Sequence, residues 1–297
     1  MSETFADRDG WIWQDGGLVP WRQARLHVLS HGLHYASSVF EGIRVYGGEP
    51  FLLTEHHRRL HSSAGHLGFA LPFSVSELDA AAREVVAANR IDDGYLRPVA
   101  WCGSDTMSLG DEGNHVHVAI AGWPWPNVFG PRAGEVGIRL GTSAWRRPSP
   151  ACAPVAAKAA AHYSVSSLAH AAAKRAGYDD ALLLSHTGHL AEATGANLVL
   201  VMDGALHTPI CDGFLDGITR RVAARLARRA GLTVIERHIP PTDLARAAEV
   251  FLTGTAYEIQ PVTAVDGVDF PIGPVTRLIR EGYTAEVRAP SESVVLR

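Results

Sequence analysis

The sequence is poor in cysteine, lacks an excess of either charge and contains no long apolar run. Cys102, Cys152 and Cys211 are odd in number and include no CxxC pair, which fits neither a disulfide framework nor a cysteine zinc site and makes a reducing cytoplasm the expected location. Lys plus Arg number 27 against 31 for Asp plus Glu, a net charge of −4, so the basic excess of a nucleic-acid or acidic-membrane binder is missing. The opening MSETFADRDGWIW has acids where a signal peptide needs basic residues and then an apolar stretch. No later run reaches the roughly 18 apolar residues of a membrane span, so a soluble, unprocessed protein is expected. What is present is ordinary for a folded chain: 297 residues, 46% hydrophobic and 20% charged, enough for about two domains with small-molecule partners.

Strand-like and helix-like patterns alternate without a fixed repeat, which predicts an α/β or α+β architecture. Val39–Tyr46 and Pro50–Leu53 flank Gly47-Gly48, a pair suited to the positive φ angles of a tight hairpin. Residues 55–65 and 76–90 are predicted helical, the second opened by a Ser74…Glu77 capping box, with Leu78, Ala82, Val85 and Asn89 on one face. Strands are expected at 95–101 and 115–122, and the Trp-Pro-Trp-Pro run then suggests a linker. The domains are accordingly placed at 1–122 and 135–297, joined by 123–134. In the second half, strands are expected at 136–142, 181–186, 197–202 and 250–252, and Asp203-Gly204 marks another hairpin turn. Helices are expected at 163–176 and 218–230, closing at Gly177 and Gly231.

Seven of the fifteen histidines fall between His27 and His66, but HExxH is absent and no acid completes a ligand set, so no metal site is assigned. Arg221, Arg225 and Arg228 form a basic stripe on the 218–230 helix that reads as a solvated face opposite Val222, Leu226 and Ala230. The start of that helix, Leu215-Asp216-Gly217-Ile218-Thr219, offers free N–H groups and a hydroxyl to an anion. Thr253-Gly254-Thr255-Ala256, after a strand, offers a second such turn. Lys158 lies among small residues, PVAAKAAA, where a flat ligand could approach and where burial would favour the neutral amine needed for imine chemistry. Composition alone favours a solvated lysine on an alanine-rich helix.

Read in order, HVLSHGLHYASSVFEGIRVY (27–46), HHRRLH (56–61), YLRP (95–98), PVAAKAAAHYSVSSL (154–168), AEATGANLVL (191–200), GITR (217–220) and EVFLTGTAYEIQPV (249–262) resemble the fold-type IV pyridoxal-phosphate enzymes, branched-chain amino acid aminotransferases in particular. The resemblance spans nearly the whole chain. It implies a two-domain, D-amino acid aminotransferase-like fold, small domain first, with pyridoxal 5'-phosphate between the domains and a homodimer or larger assembly of dimers. It makes Lys158 the Schiff-base lysine, Arg59 the phosphate-binding arginine, and Ile218, Thr219 and Thr255 the other phosphate donors. Tyr163 matches the tyrosine at the cofactor's phenolic oxygen, Leu215 the residue packed on its ring, and Glu192 the carboxylate at the pyridine nitrogen, a pairing that strengthens the electron sink. On the substrate side, Thr255 and Ala256 amides would receive the α-carboxylate, Arg97 and Tyr35 a carboxylate-bearing donor, and Phe40, Gly42 and Arg44 would line the pocket.

The implied reaction is ping-pong transfer of an amino group from a branched-chain or related L-amino acid to a keto acid such as 2-oxoglutarate. A D-amino acid or amine transaminase, an aminodeoxychorismate-type lyase and a catalytically silent cofactor-binding protein share the same residues and stay open. The chain departs from the family near the cofactor. Lys-Ala-Gly-Gly-Asn-Tyr becomes Lys158-Ala159-Ala160-Ala161-His162-Tyr163, and Glu-Gly-(Ser/Ala)-Gly-Glu-Asn-Leu-Phe becomes Glu192-Ala193-Thr194-Gly195-Ala196-Asn197-Leu198-Val199. Asp216 stands where a proline is common, bringing negative charge toward a phosphate. These changes bear on the substrate before the cofactor, so a specialised transaminase is a further expectation.

Overall fold

Short apolar strands and the turns between them set the architecture of the first half. A computed structural model describes residues 4–109, 113–125, 129 and 133–289. The chain divides into two units, Met1–Pro126 with Ala157–Ala161, and Asn127–Ala156 with His162–Arg297.

In the first unit, β1 (Trp11–Gln14), β2 (Gly17–Pro20), a single turn α1 (His31–His34), β3 (Ser38–Phe40), β4 (Ile43–Tyr46) and β5 (Glu49–Pro50) precede two helices, α2 (Leu53–His66) and α3 (Val75–Ala88). β6 (Gly94–Cys102) and β7 (Val116–Pro124) complete an antiparallel sheet of order β2-β1-β7-β6-β4-β5, with β3 also on β6. Ile43, Val45, Leu96 and Ile120 from the sheet pack with Leu60, Leu78, Ala82 and Val85 from the helices, all fully buried.

The Gly47-Gly48 turn has φ +57° and +81°, the two positive values that a two-residue hairpin matching the strand twist requires. The Ser74–Glu77 capping box is present in full. Three expectations are corrected. The second hairpin strand stops at Pro50, which has no N–H to continue the ladder, and Leu52 at φ +51° swings the chain into α2. Asn89 is not a core residue but the C-cap of α3, its amide donating to the Val85 and Trp11 carbonyls. Trp123 and Pro124 belong to β7, because Pro124 at the strand's end needs no donor there, so the 123–134 linker begins too early.

The second unit opens with a short turn α4 (Ala133–Val136), β8 (Ile138–Arg146) and α5 (Tyr163–Arg175). There follow β9 (Asp180–Leu184), β10 (Leu190–Ala193), β11 (Asn197–Met202), β12 (Ala205–Pro209), α6 (Ile218–Arg229) and β13 (Val234–Arg237). β14 (Glu249–Gly254), β15 (Glu258–Val265), β16 (Val268–Asp269) and α7 (Pro274–Val287) end it.

The sheet runs β10-β9-β8-β15-β14-β11-β12-β13, and β10 also pairs with β11, so its first six strands close on themselves. Closure removes the free edges along those strands. Leu140, Leu182, Leu198, Leu200, Leu252 and Val262 fill its core. Ala169 and Ala173 of α5 pack on Ala181 and Leu183.

On α6, Val222 is buried as expected, but Ala230 is exposed past the helix end and Arg220 is buried at 5% exposure. Arg220 is held by Thr208 Oγ1, Pro209 O, Asp216 and Glu236, and Arg225 pairs with Glu286, which leaves Arg221 and Arg228 as the exposed members of the basic stripe.

Candidate active site

Lys158 does not lie on a helix. It sits in the extended segment ahead of the 3-10 turn Ala160–His162, half-buried between Ala157 and Ala159, and this segment groups with the first unit although the sequence boundaries put it in the second half. Its carbonyl accepts from Phe40 N–H at 3.1 Å, its N–H donates to Ser63 Oγ at 2.9 Å, and Ala159 bridges to Val39. The backbone at this lysine is therefore pinned to β3 on one side and α2 on the other. Nζ stands 5.0 Å from the Phe40 ring centroid, and the Arg97 guanidinium lies 4.7 Å from the same ring. Arg97 Nε is buried with no hydrogen-bond partner among the described residues, a donor still in need of an acceptor.

Arg59 is one helical turn before Ser63 on α2 and shares its face. Its Nε and Nη2 donate to Glu41 Oε1 and Oε2 at 2.7 and 2.8 Å, a bidentate pair with a carboxylate that has no exposure to water. His56 Nδ1 meets the same carboxylate at 2.6 Å. Burial pushes the Glu41 carboxyl up, but the charges of Arg59 and His56 and their hydrogen bonds outweigh it and hold the group well below the usual carboxylate range. Burial likewise lowers the His56 imidazolium, against the pull of Glu41.

Of the remaining first-unit candidates, Gly42 faces Tyr95 Oη so closely that a Cβ would collide with it. Arg44 is turned to the Trp125 carbonyl at 2.9 Å and to the Tyr46 ring, which directs it to the end of β7. Tyr35 is 43% exposed and donates to the Met107 carbonyl at 3.3 Å. The histidines of this half find carboxylates rather than one another: His57 meets Asp79 at 2.6 Å as His56 meets Glu41. Among the described residues, no group of three His, Cys, Asp or Glu could hold a metal ion.

In the second unit, Glu192 on β10 is 7% exposed, not a surface acid of the hairpin. Arg147 Nε lies 3.0 Å from Oε1 as an ion pair rather than an aligned hydrogen bond, and Asn197 Nδ2 donates to Oε2 at 3.3 Å. Asn197 also reaches the phosphate turn, donating to Leu215 O at 2.9 Å and accepting from Gly217 N–H at 3.1 Å. The Glu192 carboxylate and the first turn of α6 are thus fixed to each other by one amide side chain.

Gly217 caps α6 with no side chain, so the first-turn amides, beginning at Ile218 and Thr219, have no side-chain acceptor. Asp216 carries its charge away from that helix start, toward Arg220 at 3.0 Å and Arg221 at 3.4 Å. Thr255 and Ala256 occupy the three-residue loop between β14 and β15, and Glu258 closes it at φ +55°. Tyr163 opens α5. His162 before it is buried, its Nε2 3.1 Å from Pro154 O, and burial followed by the nearby Arg147 charge lowers its imidazolium.

Glu41, Arg147 and Asn197 are functional partners that the sequence reading did not single out. Asn197 lay inside a quoted motif. Nothing local marks Arg147, which is 45 residues away from Glu192 in the chain.

These arrangements have counterparts in known proteins. Residues 38–265 match the family described as amino-transferase class IV, and the chain belongs to that family; it is an aminotransferase of fold-type IV. Within the class it is similar to branched-chain amino acid aminotransferases. A probable branched-chain-amino-acid aminotransferase of Rickettsia bellii is 40% identical over 292 residues, covering 97% of this chain and all of that one. The crystal structure of the Escherichia coli branched-chain amino acid aminotransferase superposes with a TM-score of 0.91 at 39% identity, covering 94% of each chain. The branched-chain amino acid aminotransferase of Thermoproteus uzoniensis, solved with norvaline, gives 0.90 at 37% identity, covering 94% of this chain and 95% of that one. Other similar branched-chain amino acid aminotransferases have been solved with pyridoxamine 5'-phosphate and with 4-methylvaleric acid.

Proposed function

We propose that this aminotransferase uses pyridoxal 5'-phosphate to move an amino group between a branched-chain L-amino acid and 2-oxoglutarate. The observation that carries the reading is Lys158: a half-buried lysine whose backbone is tied to two elements while its Nζ lies beside Phe40 and within one cluster with Arg97.

The chain's residues fit the cofactor. The uncapped first turn of α6 suits a phosphate, Arg59 presents a guanidinium held rigidly by Glu41, and Glu192 is a buried carboxylate whose two oxygens are already oriented. When bound, the cofactor supplies a carbonyl for the incoming amine and a conjugated ring to accept the electron pair left when Cα loses its proton. Lys158 Nζ takes up that proton and returns it on the other side of the transfer. Glu192 holds a proton at the ring nitrogen, with Arg147 and Asn197 fixing the carboxylate for the task. Tyr163 serves the ring's phenolic oxygen, Leu215 packs on the ring, and Thr219 and Thr255 add hydroxyls at the phosphate. Thr255 and Ala256 N–H groups take the substrate's α-carboxylate. The buried Arg97 Nε supports recognition of a second carboxylate, as glutamate carries, with Tyr35 at the outer edge and Phe40, Gly42 and Arg44 shaping the pocket.

The deciding experiment combines two measurements on purified protein. Borohydride reduction after loading with pyridoxal 5'-phosphate is expected to fix the cofactor to Lys158, read by peptide mass; a cofactor-loaded protein without that adduct overturns the role. A donor panel then follows the visible band of the bound cofactor with L-valine, L-leucine, L-isoleucine, L-glutamate, their D-forms and simple amines. Loss of the band with the L-forms alone supports the reading. A response to D-forms or amines in their place assigns one of the other chemistries of the fold, and no response to any donor marks a silent binding protein.

A further inference from the structure

Asp180 begins β9 with no exposure to water, and none of the roles above uses it. Its carboxylate gathers donors from three other elements. Thr194 Oγ1 donates to Oδ1 at 2.6 Å, Tyr257 Oη donates to Oδ2 at 2.9 Å, and His170 Nδ1 on α5 lies 3.0 Å from Oδ1. The N–H of Ala181 adds a bond of 2.8 Å. Such a convergence answers a buried charge on every side.

Two of those donors sit at hairpin tips. Thr194 belongs to the tip that joins Glu192 to Asn197, and Tyr257 is the last residue of the Thr255–Tyr257 loop. The tips lie against each other: a Cβ on Gly254 would stand 3.1 Å from Ala196 Cβ and 3.1 Å from Gly195 O, and one on Gly195 would stand 3.3 Å from the Tyr257 ring. Only glycine allows that approach. The Phe129 ring meets Tyr257 edge-on at 5.0 Å. Burial first, and the Asp180 charge next, raise the Tyr257 phenol well above its usual range, which keeps it a donor.

We propose that Asp180 is a positioning residue. Through Thr194 and Tyr257 it locks the Thr255–Ala256 loop at a fixed spacing from the Glu192 tip, and so sets the affinity for the substrate's α-carboxylate. It touches neither the substrate nor the reacting atoms. The latch gives Thr194 a structural partner, where serine or alanine is the family's usual residue, and ties that departure to substrate binding. The inference rests on the assignment of the Thr255 and Ala256 amides to the α-carboxylate.

The test is calorimetric titration of cofactor-loaded wild type, Tyr257→Phe and Asp180→Asn with 4-methylvaleric acid, a carboxylate without an amino group. Alongside it, KM and kcat are measured for L-leucine, together with cofactor affinity and thermal midpoint. Loss of one charge-assisted hydrogen bond is expected to weaken acid binding roughly ten-fold and to raise KM in proportion. Cofactor affinity and kcat are expected to stay within about two-fold, since the Glu192 contacts are untouched. Thr194→Val should follow Tyr257→Phe, and Thr194→Ser should restore wild-type binding. Tyr257→Phe removes a single oxygen, so it decides the matter even where Asp180→Asn does not fold.

Unchanged acid affinity in Tyr257→Phe overturns the latch while leaving the carboxylate assignment standing. An equal fall in acid affinity, cofactor affinity and thermal midpoint also overturns it, because general loosening then suffices. Loaded wild type that binds no acid at all overturns the carboxylate assignment, and the latch with it.

Discussion

A carboxylate fully removed from water keeps its charge only where that charge is answered on the spot, and at Glu41 the answer is Arg59 on both oxygens with His56 behind. Removing the charge strands the two cations, so Glu41→Gln is expected to lower unfolding free energy by about 3–5 kcal/mol near neutral pH, read by urea titration. The sign of the pH dependence follows from the folded values. Glu41 is depressed, so its contribution is present above the unfolded carboxyl value of about 4.3 and fades as pH falls toward the folded one. His56 is also depressed, so stability is lost below its unfolded value of about 6.5 as the buried ring is driven to protonate. Both act in the acid direction, and Glu41→Gln is expected to flatten the fall below pH of about 4. Glu192 differs in purpose: Glu192→Gln keeps the Asn197 contact but loses the charge, and is expected to slow Cα deprotonation by about 10²-fold in single-turnover absorbance while cofactor affinity changes little. An equal half-reaction rate would remove the electron-sink role. Lys158 and Glu192 were legible because they sit in contiguous motifs, whereas Arg147 and Glu41 act through pairings that only the tertiary fold creates.

Elements read from the sequence succeed where a local physical device fixes them. The Ser74–Glu77 box starts α3, Asp203-Gly204 turns β11 into β12 with φ +51° and +76°, and Gly177 and Gly231 follow α5 and α6 with positive φ. Ser74→Ala is therefore expected to cost about 1 kcal/mol in urea or thermal unfolding, with the cofactor's visible band unaffected, because the cap lies at the exposed start of a helix remote in sequence from every assigned residue. A larger loss, or an altered band, would show that α3 does more than support the sheet. The reading failed where nonlocal pairing overrides composition. Alanine runs favour helix, yet Ala157 and Ala159 flank Lys158 in an extended segment because Val39 and Phe40 supply backbone partners. Trp123 and Pro124 look like a break, yet opposite Tyr95 and Gly94 they extend β7. The β10–β11 pairing that closes the second sheet has no mark in either strand alone, since register depends on the partner.

At the scale of the molecule, the net charge of −4 and the alternation of elements already pointed to a two-unit α/β protein handling small molecules; assembly is the property left to test. The first unit exposes an unusual run of apolar side chains over ten residues: Leu26 at 52%, Val28 at 65%, Leu29 at 42%, Leu33 at 61% and Tyr35 at 43%. Scattered exposed leucines are common, but so many within one short segment mark a surface that water disfavours. A second copy of the chain is the occupant that the homodimer reading supplies. Sedimentation equilibrium is expected to give twice the 31.9 kDa chain mass at micromolar concentration. Leu33→Glu, which places a charge in that run without disturbing a buried contact, should shift the mass toward the monomer while leaving far-ultraviolet circular dichroism unchanged. A wild-type protein that sediments at the single-chain mass overturns the dimer. A dimer indifferent to Leu33→Glu would place the interface on another face, and the apolar run would then have to answer to a different partner.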